Sequence, residues 1–255
     1  MSDLFDLTGR TALVTGSSRG LGQSLALGLA AAGARVIVHG RDAVAAEATA
    51  ALIEREHGYR PAVTLFDVTD ADAVEAAVAE LVAAEGVPDI LVNNAGIQRR
   101  APFHEFAVSD WDAVVASNLS SAFYVSRFVV PGMIERGGGK IINIASVQSM
   151  LARQTIAPYS ASKGGIAQLT RGMAADLARY DIQVNTLSPG YFATEMNAAL
   201  VADEAFTAWV GQRTPAGRWG DVAELRGPLV FLASDASRFV SGQNLFVDGG
   251  MTSVV

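Results

Sequence analysis

The stretch from Thr11 to Gly22 constrains this chain more than any other. Thr11-Ala-Leu-Val-Thr15 is a short apolar run, the pattern of a strand covered on both faces. It ends on Gly16-Ser-Ser-Arg-Gly-Leu-Gly22 and passes into an Ala/Leu-rich helical segment that reaches about residue 32, where Gly33 stops it. The unit then repeats. Further strands are expected at 35–38, 62–66, 90–92, 140–144, 183–187 and 245–247. Helices are expected at 43–56, 71–85 and 111–135, from Tyr159 onward, and around 203–212 and 222–234. Strands alternating with helices of this length predict an α/β fold, a doubly wound parallel sheet joined by crossover helices. The chain has 255 residues, half of them hydrophobic, so it can bury one sizeable core. No linker, charge run or internal repeat divides it, and residues 1–255 read as a single domain.

Composition removes several classes of function. A net charge of −7 argues against nucleic acid or an anionic membrane as partner. The absence of cysteine excludes disulfides and thiolate chemistry and fits a reducing compartment. Asp3 and Asp6 stand where a signal peptide would be basic, and no run of about eighteen consecutive apolar residues is available to span a bilayer. The expectation is a soluble, cytoplasmic protein.

The glycine-rich turn has a chemical use. Its glycines let the backbone turn tightly and approach a pyrophosphate, and the helix that follows offers N–H groups and partial positive charge. Gly16, Ser18, Arg19, Gly20, Leu21 and Gly22 are therefore candidate dinucleotide contacts. The second strand bears on which dinucleotide. A free ribose 2′-hydroxyl usually meets an acid just after that strand, but here the chain reads Val38-His39-Gly40-Arg41. Arg41 and Arg19 are suited to a 2′-phosphate, which favours NADP over NAD. Asp42 is read as the cap of the next helix. Asp67 and Val68, after the third strand, are placed to flank an adenine.

A second feature lies in Pro158-Tyr-Ser-Ala-Ser-Lys163. If Tyr159 opens a helix, Lys163 falls on the same face one turn later. A phenol has a reference pKa of about 10, and an ammonium at about 4 Å contributes something like 4 kcal/mol toward lowering it. Tyr159 is thus a candidate general acid/base with Lys163 as its charge partner. Of the 19 Lys and Arg residues only Lys140 and Lys163 are lysines, so the spacing is not an accident of composition.

These motifs stand in order with Asn93-Asn94-Ala95-Gly96, a lone Asn118 and Ser146, and together the chain resembles a short-chain dehydrogenase/reductase over essentially its whole length. The resemblance implies a single Rossmann-type domain of seven parallel strands, assembled as a homotetramer. It also implies roles. Tyr159 would be the acid/base, Ser146 would polarise the substrate oxygen, and Asn118 would anchor a relay water. Lys163 would bind the nicotinamide ribose and lower the tyrosine pKa. Asn94, Ala95 and Gly96 would line the adenosine ribose, and Pro189, Gly190 and Thr194 the nicotinamide end.

The loop Gly96-Ile-Gln-Arg-Arg100 sets two arginines nearest the reaction centre, which suggests an anionic substrate gripped through a carboxylate. Arg99 and Arg100 are the candidates, with Arg153 adding to the field and Gln148 bonding sugar hydroxyls. This loop, with 146–149, 190–196 and 213–219, is similar to the gluconate 5-dehydrogenase branch of the family. That implies interconversion of gluconate and 5-ketogluconate with NADP(H). Another short-chain reductase, acting on a related sugar acid or polyol or on a 3-oxoacyl thioester, and a non-catalytic dinucleotide sensor are the alternatives. No metal site is expected: His39, His57 and His104 lack ligand spacing and read as surface or loop residues.

Overall fold

Each apolar run becomes a strand of one parallel sheet in the computed structural model, which describes residues 2–194 and 197–255. The strands are β1 (Thr11–Val14), β2 (Arg35–Gly40), β3 (Ala62–Leu65), β4 (Ile90–Asn93), β5 (Gly139–Ile144), β6 (Ile182–Pro189) and β7 (Asn244–Val247). Their order across the sheet is β3-β2-β1-β4-β5-β6-β7, every pair parallel. The expected α/β architecture is the observed one.

The helices that cross between strands are α1 (Gly20–Ala31), α2 (Ala43–His57), α3 (Ala71–Glu85), α4 (Val108–Val115), α5 (Ser121–Arg136), α6 (Ala157–Leu177) and α9 (Arg226–Ala233). Two further helices, α7 (Ala198–Val201) and α8 (Glu204–Arg213), follow β6. The helix starts follow from local chemistry. Asp42 accepts from the Val44 and Ala45 N–H groups, and Asp70 does the same for α3. Side chains alternate across the sheet and feed two cores. Ala12 and Val14 pack with Leu25 and Leu29 of α1 and Leu229 and Leu232 of α9. Leu13, on the other face, packs with Val78 of α3 and Val125, Val129 and Met133 of α5. Each of these larger side chains contributes about 1.5–3 kcal/mol by leaving water.

The helix expected at 111–135 runs from Val108 to Arg136, but a π turn over Ala116–Ser120 separates α4 from α5. The cause is tertiary. Asn118 turns inward, where its Oδ1 accepts from Ile97 N–H at 2.8 Å and its Nδ2 donates to Ile97 O at 3.0 Å. By length and composition alone this rod is apolar enough to cross a membrane. Here Ala122, Val125, Val129 and Met133 are buried in the fold instead.

Strand order reverses between β1 and β4. Crossovers leave those neighbours in opposite directions, and a crevice opens outside their carboxyl ends.

Candidate active site

The crevice is a cleft of about 630 Å³ lined by the β1–α1 turn, the ends of β2 to β6, and α6. Thr15 joins its two halves. Its hydroxyl accepts from Asn94 N–H at 2.9 Å and Ala95 N–H at 3.1 Å, while Asn94 Nδ2 donates to Thr15 O at 2.9 Å. Gly22 is required by this stitching: a Cβ there would lie 2.2 Å from Gly16 O and 2.5 Å from Asn94 Nδ2. A backbone pressed this close leaves the turn and the α1 N-terminus open to a pyrophosphate.

His39 overturns the sequence expectation. It is neither surface nor loop but 2% exposed, within β2. Its Nδ1 accepts from Gly16 N–H at 2.9 Å and its ring packs against the Phe66 ring, centroids 4.1 Å apart and planes tilted by 49°. That fixes the proton on Nε2, which donates to Phe66 O at 3.1 Å. Burial lowers its pKa to about 4, so it stays neutral and holds the glycine turn to the end of β3. Arg19, Arg41, Asp67 and Val68 all line the same end of the cleft, and Arg41 Nη1 lies 3.1 Å from Asp67 Oδ2.

At the other end, α6 and β5 bring Ser146, Tyr159 and Lys163 to one wall. Lys163, 5% exposed, donates to Ile144 O at 2.7 Å, and its Nζ is 5.6 Å from the centroid of the Tyr159 ring. Burial lowers the Lys163 pKa to about 8. Burial also raises the Tyr159 pKa, the Ser146 hydroxyl pulling it the other way. Desolvation sets the direction, and the lowering by Lys163 that the sequence suggested is not among its causes; the ammonium is turned toward a main-chain carbonyl. At neutral pH the pair is a protonated phenol beside a largely protonated amine. Asn118 is buried, and its amide is used on Ile97 and, at 3.2 Å, on Ser162 Oγ.

The substrate candidates divide. Arg99 lines the cleft but lies 3.3 Å from Asp110. Arg100 and Arg153 lie outside the lining, near enough to each other that desolvation and the Arg153 charge together lower the Arg100 pKa. Gln148 is buried, and its Oε1 has no hydrogen-bond partner. Pro189, Gly190 and Thr194 line the cleft as expected, whereas Glu195 and Met196 lie outside the described residues.

Sequence reasoning missed Tyr191. Both arginines act electrostatically on it, and its ring is 5.6 Å from each of Phe206, Trp209 and Trp219. Arg153 lies over Phe206 at 5.2 Å. The available signal was five aromatics within residues 191–219 of a chain that is only 7% aromatic.

A parallel sheet with its cleft at the reversal point, walled by a serine, a tyrosine and a lysine, defines a dinucleotide-binding fold with acid/base chemistry at one end. The chain belongs to the short-chain dehydrogenase/reductase family: a family described as enoyl-(acyl carrier protein) reductase matches residues 16–252. It is 55% identical over 250 residues to the gluconate 5-dehydrogenase of Gluconobacter oxydans (strain 621H), covering 98% of this chain and 97% of that one. It is 52% identical over 255 residues to the 5-keto-D-gluconate 5-reductase of Escherichia coli (strain K12), covering 100% of both. Among solved structures, a gluconate 5-dehydrogenase from Burkholderia cenocepacia J2315 in complex with NADP and tartrate superposes with a TM-score of 0.97. Identity there is 56%, over 100% of this chain and 99% of that one.

Proposed function

We propose that the protein is an NADP-dependent oxidoreductase that interconverts D-gluconate and 5-keto-D-gluconate. The observation that carries this reading is the meeting of Ser146, Tyr159 and Lys163 at one end of a dinucleotide-sized cleft. The names of the similar proteins supply the substrate.

The residues present fit the cofactor. The close backbone at Gly22 and Gly16 would seat the pyrophosphate, and Arg19 and Arg41 the 2′-phosphate. Asp67 and Val68 would flank the adenine, with Asn94, Ala95 and Gly96 along the ribose. Lys163, Pro189, Gly190 and Thr194 would hold the nicotinamide end. When bound, the nicotinamide accepts or supplies a hydride. The chain's own residues manage the proton. Ser146 orients the substrate oxygen, and Tyr159, held protonated by burial, donates its phenolic proton to that oxygen as a ketone is reduced. In the reverse direction the tyrosinate takes the hydroxyl proton, and the Lys163 charge stabilises it. Asn118 anchors the water that restores the proton.

Arg100 and Arg153, outside the cleft lining but close to Tyr191 beside Gly190, are the candidates for the carboxylate, and Gln148, whose unpartnered Oε1 is buried, is the candidate for a hydroxyl. Arg99, already beside Asp110, has the lesser part. The proposal includes a cytoplasmic homotetramer. Val108 and Trp111 on α4, Phe123 on α5, and Phe239 and Val255 are exposed apolar side chains, available to the two kinds of self-complementary contact that a dimer of dimers needs.

The test is a rate survey of 5-ketogluconate, related keto acids, fructose, sorbose and acetoacetyl thioesters, each with NADPH and NADH. The highest kcat/KM is expected for 5-ketogluconate with NADPH. A thioester preferred over the sugar acids would overturn the substrate, and equal use of NADH the cofactor.

A further inference from the structure

Arg41 is not idle before any cofactor arrives. Its guanidinium is 70% exposed and lies 3.1 Å from the Asp67 carboxylate, and both residues line the cleft. Of the two, Asp67 is the fixed partner. Its Oδ1 accepts from Thr69 N–H at 2.9 Å and the Thr69 hydroxyl at 2.7 Å. The residue before it is pinned through His39. Two other positions near the 2′ end of a ribose are closed to this role. Gly40, where an acid would reach a 2′-hydroxyl, has no room for a side chain, since a Cβ would lie 2.9 Å from Ser18 Cβ. Asp42 also lines the cleft, but its Oδ1 accepts from Val44 and Ala45 N–H groups at the start of α2.

We infer that Asp67 is a cofactor-selectivity residue that competes with the 2′-phosphate for the Arg41 guanidinium and so holds the preference for NADP(H) below what Arg41 alone would give. The inference rests on the NADP reading above. A cofactor with a free 2′-hydroxyl leaves the Arg41–Asp67 pair intact. A 2′-phosphate must draw the guanidinium away and then stand near an unmatched carboxylate. Exposed ion pairs are weak, so the effect is a tuning one, roughly two- to fivefold. Any contact Asp67 makes to an adenine is common to both cofactors and cancels in their ratio.

The experiment measures dissociation constants of NADP⁺ and NAD⁺ for the full chain without substrate, by calorimetry, in wild type, Asp67→Asn, Arg41→Ala and the double variant. Asparagine keeps an oxygen for Thr69 and removes only the charge. Asp67→Asn is expected to raise the NADP⁺ preference two- to fivefold, and by less in the Arg41→Ala background. Equal gains in both backgrounds would reduce Asp67 to plain repulsion and overturn the competition. A lowered preference in Asp67→Asn would show that Asp67 presents Arg41 to the phosphate, the opposite role. If Arg41→Ala lowers the preference but Asp67→Asn leaves it unchanged, only the selector fails. If Arg41→Ala itself changes nothing, the phosphate reading fails and the selector with it.

Discussion

The two lysines of this chain occupy opposite ends of the sheet, and they share burial and its effect on their charge but differ in what surrounds them. Lys140 stands at the amino end of β5 and Lys163 beside its carboxyl end; they are 3% and 5% exposed, and burial lowers both to about 8. Among the described residues Lys140 finds only Ser237 Oγ at 3.4 Å, a hydroxyl whose one proton is shared between Leu232 O and Ser234 O. The charges around it, Arg10 with Asp235 and Arg238 with Asp181, are tied to each other at the surface. Lys163 makes one short bond to Ile144 O and otherwise opens onto the cleft beside Tyr159. A buried ammonium is therefore not in itself a sign of chemistry. What marks a site is a buried charge with a vacant direction facing a space that a ligand can enter.

Substitutions at the cleft end should act on turnover, and those at the far end on stability. Tyr159→Phe carries the largest expected effect, a loss of about 10²–10⁴-fold in kcat with cofactor affinity within twofold, read by steady-state kinetics and a binding titration. A rate within a few-fold of wild type would remove Tyr159 from its role.

Lys163→Ala should lower both kcat and cofactor affinity, since one ammonium serves both. Lys140→Met should leave both unchanged and hold or raise Tm, because an apolar chain of similar length replaces a poorly bonded buried charge. A matching loss of activity in the two variants would erase the contrast between the ends.

Within the cleft end, Arg100→Ala or Arg153→Ala should narrow the preference for 5-ketogluconate over fructose by about 1.5–3 kcal/mol, roughly ten- to a hundredfold in kcat/KM. Arg99→Ala should narrow it by less than about threefold, since Asp110 already engages that guanidinium. The reverse ranking would move the carboxylate to Arg99.

The smallest effect is thermodynamic. Unfolded lysines stay protonated to about pH 10.4, whereas both folded lysines begin to lose their protons near 8. Between those values the unfolded chain holds more protons, so the free energy of unfolding should rise with pH, by at most about 1.4 kcal/mol per unit for each lysine. Denaturant titrations from pH 7.5 to 10 check this, and Lys140→Met should remove about half the slope. The raised pKa values of Tyr59, Tyr159 and Tyr191 oppose the trend only above about pH 10.

The sequence by itself determined the strand–helix alternation, the parallel sheet and the glycine turn, and it paired Tyr159 with Lys163 by helical spacing, Ser146 joining them only through the family resemblance. These signals are local: apolar periodicity, a cap such as Asp42, and glycines at a tight turn. The α3 bounds were legible to the residue for that reason. Partner choice was not legible, because it depends on residues far apart in the chain. His39 looked like a surface residue until β1 and β3 flanked it and supplied Gly16 N–H and Phe66 O. Arg99 and Arg100 are adjacent in sequence, yet α4 offers a carboxylate to one and residues 153 and 191 gather around the other. The π turn at Asn118 and the raised pKa of Tyr159 have the same origin. Desolvation and long-range hydrogen bonds exist only once the sheet has closed over them, so the tertiary structure alone decides which charged groups are spent and which face the cleft.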